Sequence, residues 1–156
     1  IEVFFIHRLI LSFGSPVKAF SITLVTILLS AGLGSLASGR ITLRKLPWIM
    51  GLAPLLVVAC YFLFDLFDET PASIAFMVPI GILLGFFFPV GLRLLTNEET
   101  GGVPLAYAAN GVASIIEPSL ASLVAVAYGC SVLLILAAIL YTLAIIIIFP
   151  VVLRVS

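Results

Sequence analysis

Apolar residues run in long blocks separated by short polar breaks, over 17–39, 47–67, 73–96, 103–128 and 131–153. At about 1.5 Å per helical residue, each block is long enough to cross a hydrocarbon core about 30 Å thick. A sixth apolar stretch, 1–13, is too short to span and reads as the end of a truncated helix. It lacks the basic start and small-residue cleavage site of a signal peptide. The breaks carry turn chemistry: Gly14-Ser15-Pro16, Arg40 to Leu46 ahead of Pro47, Asp68-Glu69-Thr70-Pro71, Asn97 to Gly102, and Gly129. Pro47 suits a first helical turn, whereas Pro89 and Pro118 fall inside their blocks and predict kinks there. Barrel strands would alternate polar with apolar residues, and stretches such as Leu143 to Val152 do not. Lipid offers the backbone no hydrogen-bond partner, so helices are left. The fold class is all-α: one polytopic transmembrane helix bundle over 1–156, with five full spans and one truncated N-terminal helix.

Composition makes the solvent lipid. Hydrophobic residues are 63% of the chain and charged residues 9%, and the mean hydropathy is +1.40. Seven acidic and seven basic side chains cannot clothe a water-soluble fold of this length. With zero net charge and no basic block, nucleic acid is excluded as a partner. Cys60 and Cys130 lie in separate apolar blocks without metal-ligand spacing, so neither a disulfide framework nor a metal site is expected.

The positive charges add an orientation. Arg40, Arg44, Lys45, Arg93 and Arg154 share one side, with Trp48 at interface depth. The other side has Lys18 with Asp65, Asp68 and Glu69. Positive charge is retained inside, so the first group is expected in the cytoplasm of a multi-pass protein of the cell's inner (plasma) membrane.

Helices in lipid associate through small residues. In the second helix Ser30, Gly34 and Ser38 are spaced by four, as are Ala31, Ser35 and Gly39, and Gly81 and Gly85 repeat the device in the fourth helix. Polar residues at membrane depth are costly and usually face a partner or a wet cavity. Tyr107, Asn110, Ser114 and Glu117 form one stripe of the fifth helix and are expected to look inward. Glu117 falls roughly 16 Å from the outer end of its helix, near the bilayer midplane, and Glu2 falls at similar depth, with His7 and Arg8 about two turns further out. These residues read either as a cation pathway or as an internal clamp in which Arg8 pairs with a carboxylate and Asn110 bonds across helices. So few ionisable groups favour the clamp. No catalytic constellation or nucleotide loop is present, so no catalytic residue and no cofactor is expected within this chain.

Four segments carry a resemblance: Glu2 to Arg8 (EVFFIHR) with Gly14-Ser15-Pro16, Ser30 to Arg40 (SAGLGSLASGR), Phe88 to Leu95 (FPVGLRLL) and Ala106 to Ser114 (AYAANGVAS). They resemble the membrane-integral spermidine synthase-like family, in which membrane helices follow a cytoplasmic aminopropyltransferase- or methyltransferase-like domain. The chain departs from that pattern at His7, where glutamine is usual, and at Glu117-Pro118, where small residues follow the Asn-Gly pair. The resemblance implies an upstream nucleotide-binding domain as partner, and a membrane domain that anchors it and channels its substrate or product. Transport of a small cation or polyamine past Glu117, Asn110 and Tyr107, with Arg8 as a gate, is the alternative. A structural subunit that holds a partner through the small-residue face of the second helix is a third.

Overall fold

The computed structural model describes residues 1–63, 69–95 and 102–155, with the side chains of all of these except 69–72 and 154–155. The predicted turns around Asp68 and Asn97, and Asp65 before the first of them, lie outside the described residues. Those residues form eight helices: α1 (Glu2–Phe13), α2 (Pro16–Ser38), α3 (Leu46–Met50), α4 (Leu52–Leu63), α5 (Glu69–Leu84), α6 (Phe87–Leu95), α7 (Gly102–Tyr128) and α8 (Cys130–Val155). A 3-10 turn, Leu43–Lys45, leads into α3.

Five of the spans formed by these helices are long and apolar enough to cross a membrane. They expose leucine, isoleucine and valine over most of their length, including Leu28, Leu29, Leu33 and Leu36 of α2. Such a surface is stable against hydrocarbon and not against water, and the chain is a membrane protein.

Turn chemistry sets the two hairpins at one end. Gly14 takes the left-handed conformation (φ 61°), and its N–H donates to Ile10 O at 2.8 Å, closing α1. Extended Ser15 and then Pro16 start α2. Gly129 (φ 90°) turns α7 into α8 in the same way.

Two long spans are interrupted, one without a predicted break and one near the kink predicted at Pro89. The 47–67 span is divided at Gly51, between α3 and α4. The 73–96 span is divided at Gly85 and Phe86, between α5 and α6. The break in the second lies one turn before Pro89 and not at it. Proline cannot donate to the carbonyl four residues back and its ring crowds that carbonyl, which here belongs to Gly85. Pro54 stands in the same relation to Met50, beside Gly51. Pro118, by contrast, lies within an unbroken α7.

Packing is densest between α2 and α5, with α1 against both and α4 against α8. The core has two layers. One gathers Phe4, Phe5, Leu9, Met77, Ile80 and Leu134, and the other, toward the basic end, gathers Leu46, Met50, Leu83, Phe86 and Val90. Cys60 is buried in the first layer and Cys130 half-buried at the start of α8, both as free thiols.

Candidate functional site: the close-packed seam and the open cleft

The seam between α2 and α5 is built from the absence of side chains. A Cβ on Gly34 would overlap the carbonyl of Ile82, one on Gly81 would overlap Ser30 Oγ, and one on Gly85 would overlap the carbonyl of Ala31. Only glycine lets two backbones approach so closely. Ser30 and Ser38 are buried on the same face and spend their hydroxyls within α2. Ser30 Oγ donates to Thr26 O (2.6 Å) and Ile27 O (3.0 Å), and Ser38 Oγ donates to Ser35 O (2.6 Å). The face that a structural subunit would present to a partner is therefore filled by α5 of the same chain.

Arg93 locks the end of this seam. From α6, its Nη1 donates to Ser38 O at 2.9 Å and to Ile41 O at 3.1 Å. These carbonyls lie at and just beyond the C-terminus of α2, where intrahelical donors have run out and a positive charge is favourable. The contact also brings Arg93 to the end that carries Arg40, Arg44 and Lys45. Exposed Trp48 packs edge-on against Phe149 there, with ring centroids 5.6 Å apart.

The polar stripe of α7 behaves differently. Tyr107, Asn110, Ser114 and Glu117 are all exposed, and no residue of α7 is buried. The stripe as a whole does not look inward: of the four only Glu117 lines the space toward α8, because α7 rests mainly on α8, with lesser contacts to α1 and α6, and leaves most of its circumference open. Tyr107 meets the Phe88 ring edge-on at 5.1 Å, and Ser114 Oγ donates back to Asn110 O at 2.8 Å. One turn past Pro118, Ser122 Oγ donates to Pro118 O at 2.8 Å.

The α1 residues divide. Glu2 is half-buried and within electrostatic range of Glu117, and both acids lie in range of Tyr141 on α8. Arg8 instead lies over the Phe4 ring (5.8 Å to the centroid) and in range of Cys60 on α4. His7 points out of the bundle. Glu2 and Glu117 are thus neighbours, while His7 and Arg8 face other directions.

Sequence reasoning missed the space beside Glu117. Between α7 and α8 lies a cleft of about 910 Å³, lined by Ala109, Val112, Ala113, Ile116, Leu136 and their apolar neighbours, with Glu117 as its one ionisable side chain. Alanines at 109, 113 and 121 on a single face of α7 were the available signal. A smaller groove of about 530 Å³ between α4 and α8 carries one polar side chain, Thr142, whose hydroxyl donates to Ala138 O. Thr23, buried in α2, is a further residue the pattern did not single out, and its hydroxyl has no hydrogen-bond partner among the described residues. Comparison with protein-family models, with curated proteins and with solved structures finds no match to this chain.

Proposed function

We propose that this chain is the membrane-embedded domain of a spermidine synthase-like protein, which anchors a cytoplasmic catalytic domain. One observation carries the reading: the short motifs behind the resemblance meet one another in the fold. Arg93 of FPVGLRLL donates to the carbonyl of Ser38 in SAGLGSLASGR, and Phe88 of the same motif meets Tyr107 of AYAANGVAS edge-on. Segments far apart in the chain converge at the basic end, as expected of residues that specify one scaffold. That end is assigned to the cytoplasmic face of the plasma membrane, where positive loops are retained and a soluble domain would attach. The seam of Gly34, Gly81 and Gly85 supports an anchor in which α2 and α5 act as one closely packed unit.

The test is the coding sequence upstream of Ile1. A soluble α/β domain with a nucleotide loop, encoded in frame, is expected, and further apolar helices alone would overturn the anchor reading. Transport of a small cation is favoured by one observation, the cleft beside Glu117. Uptake of a labelled cation into vesicles that Glu117→Gln leaves unchanged would remove it.

A further inference from the structure

We propose that the groove between α4 and α8 seats one acyl chain of an anionic phospholipid, whose headgroup is held by Arg44 and Lys45 at the basic end. The assignment needs neither an upstream domain nor the sidedness of that end, so it stands apart from the anchor reading.

The groove is the first argument. It measures about 530 Å³ and runs from Gly51 to Leu55 and Val58 on one wall, with Ile139 and Leu143 on the other. Its seven-residue run along the helix is roughly 10 Å, which fits within one leaflet of a hydrocarbon core about 30 Å thick. Room is left by Gly51, which has no side chain, and by Ala138 with its single methyl group. The one polar side chain on the lining, Thr142, spends its hydroxyl on Ala138 O. The walls therefore accept hydrocarbon and can satisfy no polar group placed between them.

Charge beside the groove is the second argument. The 3-10 turn that carries Arg44 and Lys45 packs on α8, as does α3, on the basic side of Gly51. Both basic side chains are exposed and have no hydrogen bond or ion pair among the described residues. Exposed Trp48 lies between them and Gly51 in the chain, edge-on to Phe149, which is two turns along α8 from Thr142. Two cations, an indole at the interface and then an apolar groove match, in that order, the headgroup, the glycerol region and the tail of an anionic lipid.

The same order disfavours other occupants. A zwitterionic lipid would fill the groove and leave the two cations without a counter-charge. A soluble anion would meet the cations and leave the groove unused. A second copy in a two-fold contact would bring its own Arg44 and Lys45 against these.

Trp48 is the one tryptophan of the chain, so its fluorescence reports on the basic end of the groove. The whole chain is reconstituted in phosphatidylcholine bilayers, and Trp48 is quenched with phosphatidylglycerol or phosphatidylcholine carrying the same brominated acyl chains. Half-maximal quenching is expected at a mole fraction of the anionic lipid lower by about 5-fold or more, the factor for one basic side chain at a charged headgroup. Arg44→Gln with Lys45→Gln should bring the two lipids to equal quenching. Thr142→Phe, which fills the groove and keeps both cations, should weaken quenching by the anionic lipid. Equal quenching by the two lipids in the unmutated chain would overturn the assignment. The cations would then be neutralised within the protein, with Glu98 and Glu99, outside the described residues between α6 and α7, as the acids to test. Loss of the preference on adding inorganic phosphate at constant ionic strength would also overturn it, because the site would then read a free anion. So would quenching by neither lipid, which would mean that protein covers the groove. The two-lipid comparison on the unmutated chain decides even if a variant fails to fold.

Discussion

Helices α2 and α7 carry similar inventories and meet opposite fates. Each spaces small and polar residues by three or four: Ser30, Gly34 and Ser38 in α2, and Asn110, Ser114 and Glu117, with Ala109 and Ala113 beside them, in α7. In α2 these residues are buried against α5 at backbone contact, and their hydroxyls are satisfied within the helix. In α7 they are exposed, and the apolar face beside them borders an open cleft. The lesson is that four-residue spacing marks a face on which something can come close, and says nothing about whether that something belongs to the same chain. What separates the two is the partner: α5 offers Gly81 and Gly85 in register with Ser30 and Ala31, whereas α8 offers Leu133, Leu136 and Leu140, which hold α7 at a distance.

The contrast can be broken most forcefully at Gly34. Gly34→Leu drives a side chain into the Ile82 carbonyl, and a loss of about 3 kcal/mol or more is expected, at the upper end for overpacking. Unfolding in mixed micelles would measure it, and a near-native midpoint would mean that α2 and α5 can separate without cost. Next in size is Arg93→Ala, which strips the donor from Ser38 O and Ile41 O. Ser38 O keeps the N–H of Ile41, so the loss is that of the charged donor alone, about 1.5–3 kcal/mol by the same measurement. Trp48→Ala removes one edge-on contact with Phe149 at the exposed rim and should cost about 0.5–1.5 kcal/mol beyond the lost area. Gly111→Leu sharpens the comparison from the other side. Nothing lies within 4 Å of a Cβ built at Gly111, so the substitution should be neutral or add up to about 1 kcal/mol through helix propensity. Strong destabilisation there would show that α7 is covered on its open side.

How far the sequence could be read follows from what each feature depends on. Span limits depend on local hydropathy and turn residues, and 17–39, 103–128 and 131–153 correspond closely to α2, α7 and α8. Small-residue faces are local too, so Ser30, Gly34, Ser38, Gly81 and Gly85 could be named from spacing, though not the fact that they meet each other. Interruption of a helix is only partly local: Pro89 signalled one, but the break falls at Gly85 and Phe86, one turn earlier, where the proline cannot donate to the Gly85 carbonyl. The orientation of α7 was not legible, because it is decided by leucines on α8 and by contacts with α1 and α6. Arg8 and His7 group with Glu117 in the sequence only as the few ionisable residues within the spans. Their azimuth around α1 sends Arg8 toward α4 and His7 outward.

The contact between Arg93 and the end of α2 joins residues 55 positions apart, and that separation has a meaning for how the molecule is made. Synthesis proceeds from the N-terminus, so α2 enters the bilayer well before its capping arginine has left the ribosome. Until then the carbonyl of Ser38 has only the N–H of Ile41 as donor, and that of Ile41 lacks the guanidinium, so this end of the nascent helix is best satisfied at the membrane surface, beside water and headgroups. Delivery of α6 supplies the donor and lets the end of α2 settle. The glycine seam between α2 and α5 can form before residue 93 arrives, so the arginine closes an interface that is already assembled.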